Sequence, residues 1–152
     1  MTDAEETTDS LPADSLPSPD RLLSADRLLS AEGLQFVTDY HLATLSTMGT
    51  DGAIHVVAVG FSYRDGVARV ITGGGTQKTV NIEADERATL SQYDGARWLS
   101  LQGRGRIETS AEEVQLGVEL YAARYRQPRV NPERVVIVIE VDKVLGSRGM
   151  KA

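Results

Sequence analysis

The sequence contains no cysteine. That excludes disulfides, a thiolate metal site and a cysteine nucleophile, and it fits a chain expected in the cytoplasm. Histidine is nearly as scarce: His41 and His55 are the only two, and no carboxylate is spaced with them for a zinc-binding helix. No metal is therefore expected. Long apolar runs are missing too. The longest, Val135 to Ile139, is far short of a membrane span. The N-terminus is acidic where a secretory signal would carry basic and apolar residues, so no signal peptide is expected. No G-x-S-x-G elbow is present, which disfavours a serine hydrolase. Aromatic residues make up 5% of the chain, and Trp98 is the one tryptophan, suited equally to stacking on a flat ring and to anchoring a core.

What is present is unevenly distributed. The 152 residues favour one domain. The net charge of −6 belongs to residues 1–32, which hold eight acids and two bases; residues 33–152 are neutral. A neutral body gives no reason to expect nucleic acid. Residues 1–29 are low-complexity, with Ser-Leu-Pro units and a tandem "DRLLSA" at 20–25 and 26–31, and are expected to be a disordered acidic extension. A folded domain is expected over 30–147, followed by a flexible end at 148–152.

Within that domain Ser30 is a helix cap before Leu34, Phe36 and Val37. Alternation predicts a strand from His41 to Met48, and "GTDG" a turn. One long strand is predicted from Ala53 to Tyr63, a hairpin turn at Arg64-Asp65-Gly66, and strands over Val67–Thr72 and Ala88–Tyr93. A further strand runs from Arg97 to Glu108, with Gly103 and Gly105 permitting a bend. Helices are predicted over Gln77–Ala84 and, capped by Ser110, from Ala111 to about Arg126. After a coil punctuated by Pro128 and Pro132, the last strand covers Arg134–Val141. Six strands with bends close more readily into a barrel than they stay open. Strict β-α alternation is absent, which disfavours a Rossmann sheet.

The richest stretch is "VITGGGTQKTVN", residues 70–81. Its glycines are too closely bunched for a Walker loop, and Gln77 stands where that motif needs glycine. What remains is an anion nest: glycines, the Thr76 hydroxyl, Lys78 and the start of a helix. A capped helix with a solvated lysine fits the same residues. Two basic groups stand in the neutral body: Arg97, Arg104 and Arg106 in "RWLSLQGRGR", and Arg124, Arg126, Arg129 and Arg134 in "RYRQPRVNPER". They suit a multiply anionic ligand or a solvated surface.

The combination of "HVVAVGF", "VITGGGTQKTVN", "LSQYDGARWLSLQGR" and "YRQPRVNPERVVI" resembles the flavin/deazaflavin oxidoreductases of the pyridoxamine-phosphate-oxidase-like superfamily. Within it, the pattern is most similar to the mycobacterial-type coenzyme F420-dependent biliverdin reductases. The resemblance covers roughly residues 29–147. It implies a mainly β fold, a six-stranded antiparallel split β-barrel of the FMN-binding type, acting as a homodimer with cofactor clefts at the interface. Coenzyme F420 is then the expected cofactor, with FMN the alternative on the same fold.

By this resemblance the cofactor phosphate meets the 72–78 loop, Gly73 included, with Thr76 and Lys78 as the matching positions and Gln77 where some flavin relatives carry arginine. The ring lies along Val56, Val57, Ala58 and Val59 with Ile71 and Thr72 beside it, and Ala96, Trp98 and Leu99 come from the second subunit. The implied reaction is hydride transfer from reduced deazaflavin to the C10 methine of biliverdin, a tetrapyrrole, giving bilirubin. Arg97 and Arg126 are the expected positioning residues for substrate or for a water that relays the proton, with His55 the alternative donor. A non-catalytic carrier of F420, haem or a bilin is the reading from outside enzymology.

Overall fold

The computed structural model describes residues 26–152; residues 1–25, with the first "DRLLSA" unit and most of the acidic extension, lie outside the described residues. The elements in order are α1 (Ala31–Thr38), β1 (Ala43–Met48), β2 (Ile54–Val59), β3 (Ser62–Arg64), β4 (Val67–Gly73), α2 (Gln77–Ala84), β5 (Arg87–Asp94), β6 (Arg97–Glu108), α3 (Ala111–Arg124) and β7 (Arg134–Gly146). No described helix is long and apolar enough to cross a membrane.

The strands form one antiparallel sheet in the order β2-β1-β5-β6-β7-β4-β3. It has seven strands, not the expected six, because the long strand read over Ala53–Tyr63 breaks at Gly60–Phe61. A Cβ on Gly60 would sit 3.0 Å from the rings of both Tyr121 and Tyr125, so the chain passes under two aromatics where a side chain is crowded out. The two pieces, β2 and β3, are the opposite edges of the sheet. Two residues therefore join edges that no ladder joins, and the sheet curls into a split barrel.

Period-two alternation fills the interior. Ala43, Leu45 and Thr47 of β1 point inward, as do Ala68 and Val70 of β4. Leu90, Leu99, Leu101, Ile137 and Ile139 complete the centre. Val136 to Ile139 are buried without alternation, because α3 covers the outer face there: a Cβ on Gly117 would lie 2.8 Å from Val136 and 3.0 Å from Ile71. The predicted bend in β6 is a register shift between Gln102 and Gly103.

Ser30 and Ser110 cap α1 and α3 through the N–H groups of Gly33 and Glu113. Helix α3 stops at Arg124, two residues early, because Arg124 and Tyr125 turn back to hold the bend. Arg124 donates to the carbonyls of Asp39 (2.9 Å) and Phe61 (2.6 Å) and to Gln92 Oε1 (2.8 Å). Its guanidinium also lies 4.5 Å over the Phe61 ring. The Tyr125 hydroxyl donates to His41 O at 2.6 Å and accepts from Phe61 N at 3.1 Å. Burial lowers the Arg124 pKa and raises that of Tyr125.

The end of the chain, read as flexible, is packed. Strand β7 continues to Gly146, and Met150 is fully buried. Ser30 N–H donates to Met150 O (3.1 Å) and Ala152 N–H to Leu28 O (3.1 Å). Order also begins before Ser30, since Leu29 is buried and bridges Lys151.

Candidate functional site

Strands β2 and β4 face each other across the split with no ladder between them, and the gap is a cleft of about 280 Å³. Its apolar walls are Ala58, Val59 and Gly60 from β2 and the bend, and Val70, Ile71 and Thr72 from β4. Gly73 and Lys78 close the end beside α2, while Tyr121 of α3 and Pro128, Asn131 and Arg134 of the following loop and β7 form the far side. Among the described residues, the charged ones in this lining are Lys78 and Arg134.

The glycine loop is built to deliver Lys78. Gly75 takes φ +74°, left-handed backbone that favours glycine, and turns the chain into α2. Gly74 N–H donates to Glu133 O at 2.8 Å, tying the loop to the start of β7. Thr76 caps α2 by position, but its hydroxyl makes no cap bond and is buried with no partner. The first turn of a helix has N–H groups without intrahelical acceptors and a partial positive charge. Burial lowers the Lys78 pKa, and no carboxylate offsets this. Arg134 is steered by a 2.6 Å bond to Arg129 O. An orphaned hydroxyl, a helix start and two cations without an acid in the lining are a donor set for an anion.

Of the residues read from sequence, Ala58, Val59, Ile71, Thr72, Gly73 and Lys78 line this one cleft. Val56 lies on the exposed face of β2 with Ile54 and Ala58, while Val57 points the other way and packs against the core. Gln77 turns away: it donates to Asn81 Oδ1 at 2.8 Å and borders a separate cavity with Asp51 and His55. Ala96 and Trp98 are exposed on the β5–β6 hairpin, and Leu99 is a core residue. Arg97 pairs with Asp94 at 2.9 Å and lies over the Phe36 ring, and Arg126 is exposed beyond the end of α3. His41 packs on Phe36, and the buried His55 Nδ1 has no partner.

The basic groups divide likewise. Arg106 pairs with Glu108 and Glu140, Arg104 with Glu86, and Arg124 is the internal clamp, which leaves Arg134 for the cleft. Sequence reading passed over Gly60, Tyr121 and Asn131. Asn131 and Arg134 belong to the basic stretch already noted, but nothing local marks Tyr121, which reaches the cleft only because Tyr125 and Gly60 fix how α3 sits.

A family profile described as pyridoxamine 5'-phosphate oxidase matches residues 29–148. The chain is 50% identical over 118 residues to an F420H(2)-dependent biliverdin reductase of Mycobacterium tuberculosis (strain CDC 1551 / Oshkosh), spanning 76% of this chain and 86% of that protein. Among solved structures, a conserved hypothetical protein of M. tuberculosis aligns with a TM-score of 0.69 at 27% identity, covering 80% of this chain and 86% of that one. A structure described as an F420 reductase shares the fold with a TM-score of 0.63 at 24% identity, covering 73% and 94%. This chain belongs to the pyridoxamine 5'-phosphate oxidase family.

Proposed function

We propose that this protein is a coenzyme F420-dependent reductase whose substrate is a conjugated tetrapyrrole, with biliverdin reduced to bilirubin. The observation that carries the reading is the cleft between β2 and β4, where Ala58, Val59, Val70 and Ile71 line the strands and, among the described residues, Lys78 and Arg134 are the charges. A deazaflavin bearing a phosphodiester and an anionic tail has that combination of surfaces. The 50% identical relative named as an F420H(2)-dependent biliverdin reductase supports the choice of cofactor and substrate.

The residues fit the cofactor on chemical grounds. Lys78, the Thr76 hydroxyl and the start of α2 would hold the phosphate, and Arg134 with Asn131 would face a further anionic arm. Ala58, Val59 and Ile71 would flank the ring and keep water from it. When bound, F420 supplies a hydride to the C10 methine of the substrate, and this two-electron chemistry belongs to the cofactor. The chain supplies alignment and charge.

Proton delivery falls to a water held by an arginine, since a guanidinium is too basic to give up its own proton readily. Arg134 is the arginine in this chain's lining; Arg97 and Arg126 would serve from a second copy. The exposed apolar residues Ile54 and Val56 of β2, with Trp98, offer a face for that copy, and a cytoplasmic homodimer completes the reading.

The test is turnover of biliverdin by the purified protein with chemically reduced F420, followed by the bilirubin spectrum, beside titrations of F420 and FMN. Micromolar F420 affinity with turnover is expected. Tight FMN binding without F420 binding would overturn the cofactor, and binding without turnover would make the protein a carrier.

A further inference from the structure

A chain of three tyrosines leads out of the cleft. Tyr121, which lines it, has its ring centroid 4.8 Å from that of Tyr125. Tyr125 in turn lies 5.3 Å from Tyr40, at an interplanar angle of 76°. Both spacings are those of favourable aromatic pairs. The inner two rings pack on the bend at Gly60, while Tyr40 is 67% exposed. A T-shaped contact occupies at most one face of a ring, so Tyr40 keeps a face free for a flat partner.

Leu42, two residues on, is 58% exposed. It stands just before the ladder that starts at Ala43 and Val59. By alternation it shares a face with Thr44 and with the partner of Thr44, Ala58, which is a wall of the cleft. Single exposed apolar residues are ordinary, but these two stand together at the lip of one cleft. The rim loop after α3 adds charge. It carries Pro128 and Asn131 of the lining and, between them, Arg129, whose side chain is exposed and makes no ion pair among the described residues. The bond from Arg134 to Arg129 O, at 2.6 Å, fixes that loop. Asp39, the acid beside Tyr40, is turned to α1, where it accepts from Gln35 Nε2 at 2.6 Å.

The cleft itself holds about 280 Å³. Sites that enclose one drug-sized molecule run to about 300–1,000 Å³, so a deazaflavin ring leaves no room inside for a second conjugated molecule. A hydride acceptor has to lie over the mouth. We propose that Tyr40 and Leu42 are the shelf on which a flat, conjugated acceptor stacks, with Arg129 receiving one of its carboxylate arms; this rests on the reductase reading above. The shelf is continuous with the cleft through Tyr121, Tyr125 and Ala58, which places a stacked molecule against the ring that reduces it. It favours an extended anionic acceptor, because a small neutral one spans neither the shelf nor the distance to the rim.

Tyr40→Ala should raise the KM for biliverdin with reduced F420 by about three- to tenfold, the range of a lost ring stack, and leave kcat within about twofold. The variant should fold, since Tyr40 is exposed and Tyr125 keeps its bonds to His41 O and Phe61 N–H. Tyr40→Trp should restore the KM. Arg129→Gln should raise the KM for biliverdin and leave that for its dimethyl ester unchanged. Neither the F420 Kd nor the sedimentation velocity should move in any of these variants. Biliverdin titrated onto protein holding oxidised F420 reads the shelf without turnover, and Tyr40→Ala should weaken that binding likewise. Equal biliverdin affinity in wild type and Tyr40→Ala, or no binding by the wild type, would overturn the shelf. Weakened F420 binding or a changed mass in Tyr40→Ala would do so too, by assigning the patch to the cofactor or to a subunit contact. Wild type that binds biliverdin on the shelf but never reduces it would overturn the reductase reading instead.

Discussion

Lys78→Ala tests the proposed anion site apart from the rest of the fold. The lysine is partly buried, has no carboxylate partner among the described residues, and sits where the glycine loop meets the cleft. Removing it leaves no acid unpaired, so the ligand-free protein should melt within a degree or two of wild type. Binding is where the loss should appear. A charge-assisted hydrogen bond to a phosphate contributes about 1.5–3 kcal/mol, which is about a 10- to 150-fold rise in Kd for F420. Fluorescence titration of F420 measures this directly. Raising the salt should weaken wild-type binding more than that of the variant, because the charge being screened is gone.

The ligand-free protein offers a second signature. Burial lowers the Lys78 pKa, so the unfolded chain holds this proton to higher pH than the folded one. Stability attributable to Lys78 therefore rises with pH through the window just below 10.5, and Lys78→Met should abolish that rise. An unchanged Kd together with an unchanged pH profile would refute the reasoning and return Lys78 to an ordinary surface lysine.

Gly60→Ala should destabilise the protein by about 1–3 kcal/mol, as overpacking does, because the new methyl would meet two tyrosine rings at 3.0 Å; chemical denaturation checks it, and no change would mean the rings yield freely. Tyr63 has its pKa raised by burial and by Asp26, so its contribution is present below the unfolded tyrosine value of about 10 and is lost as pH rises above it. Tyr63→Phe should cost about 1 kcal/mol at neutral pH and flatten that alkaline loss in a melting series from pH 8 to 11. Ile54→Asp with Val56→Asp should convert a dimer to monomers in sedimentation velocity, since both side chains are more than half exposed on one face of β2; an unchanged mass would place any dimer contact elsewhere.

Local signals carried much of the fold. Helix α2 and strand β6 run over the residues that periodicity assigns, and the serine caps of α1 and α3 sit where the residue types put them. The misses are tertiary. Nothing within "HVVAVGFSY" announces that its two halves go to opposite edges of a sheet; the bend depends on tyrosines sixty residues away. Arg124 looks like its basic neighbours in sequence, yet each of its three side-chain nitrogens donates within the fold, to Asp39 O, Phe61 O and Gln92 Oε1. Gln77 and Lys78 are adjacent, yet the helix turn sends them to different cavities. That Gly73 and Lys78 reach the cleft was legible in the glycine loop, whereas Tyr121 and Asn131 arrive only through packing.

The split between β2 and β4 gives the bound ligand a mechanical role. A fully laddered barrel would resist opening through its own hydrogen bonds, but here the seam is held by two residues of chain and the Arg124–Tyr125 clamp. Whatever fills the cleft touches both lips of that seam. Occupancy and closure of the barrel are then one equilibrium: a ligand that prefers the closed state stabilises it in proportion to its own saturation, and in the empty protein the same lips are the first edges to part.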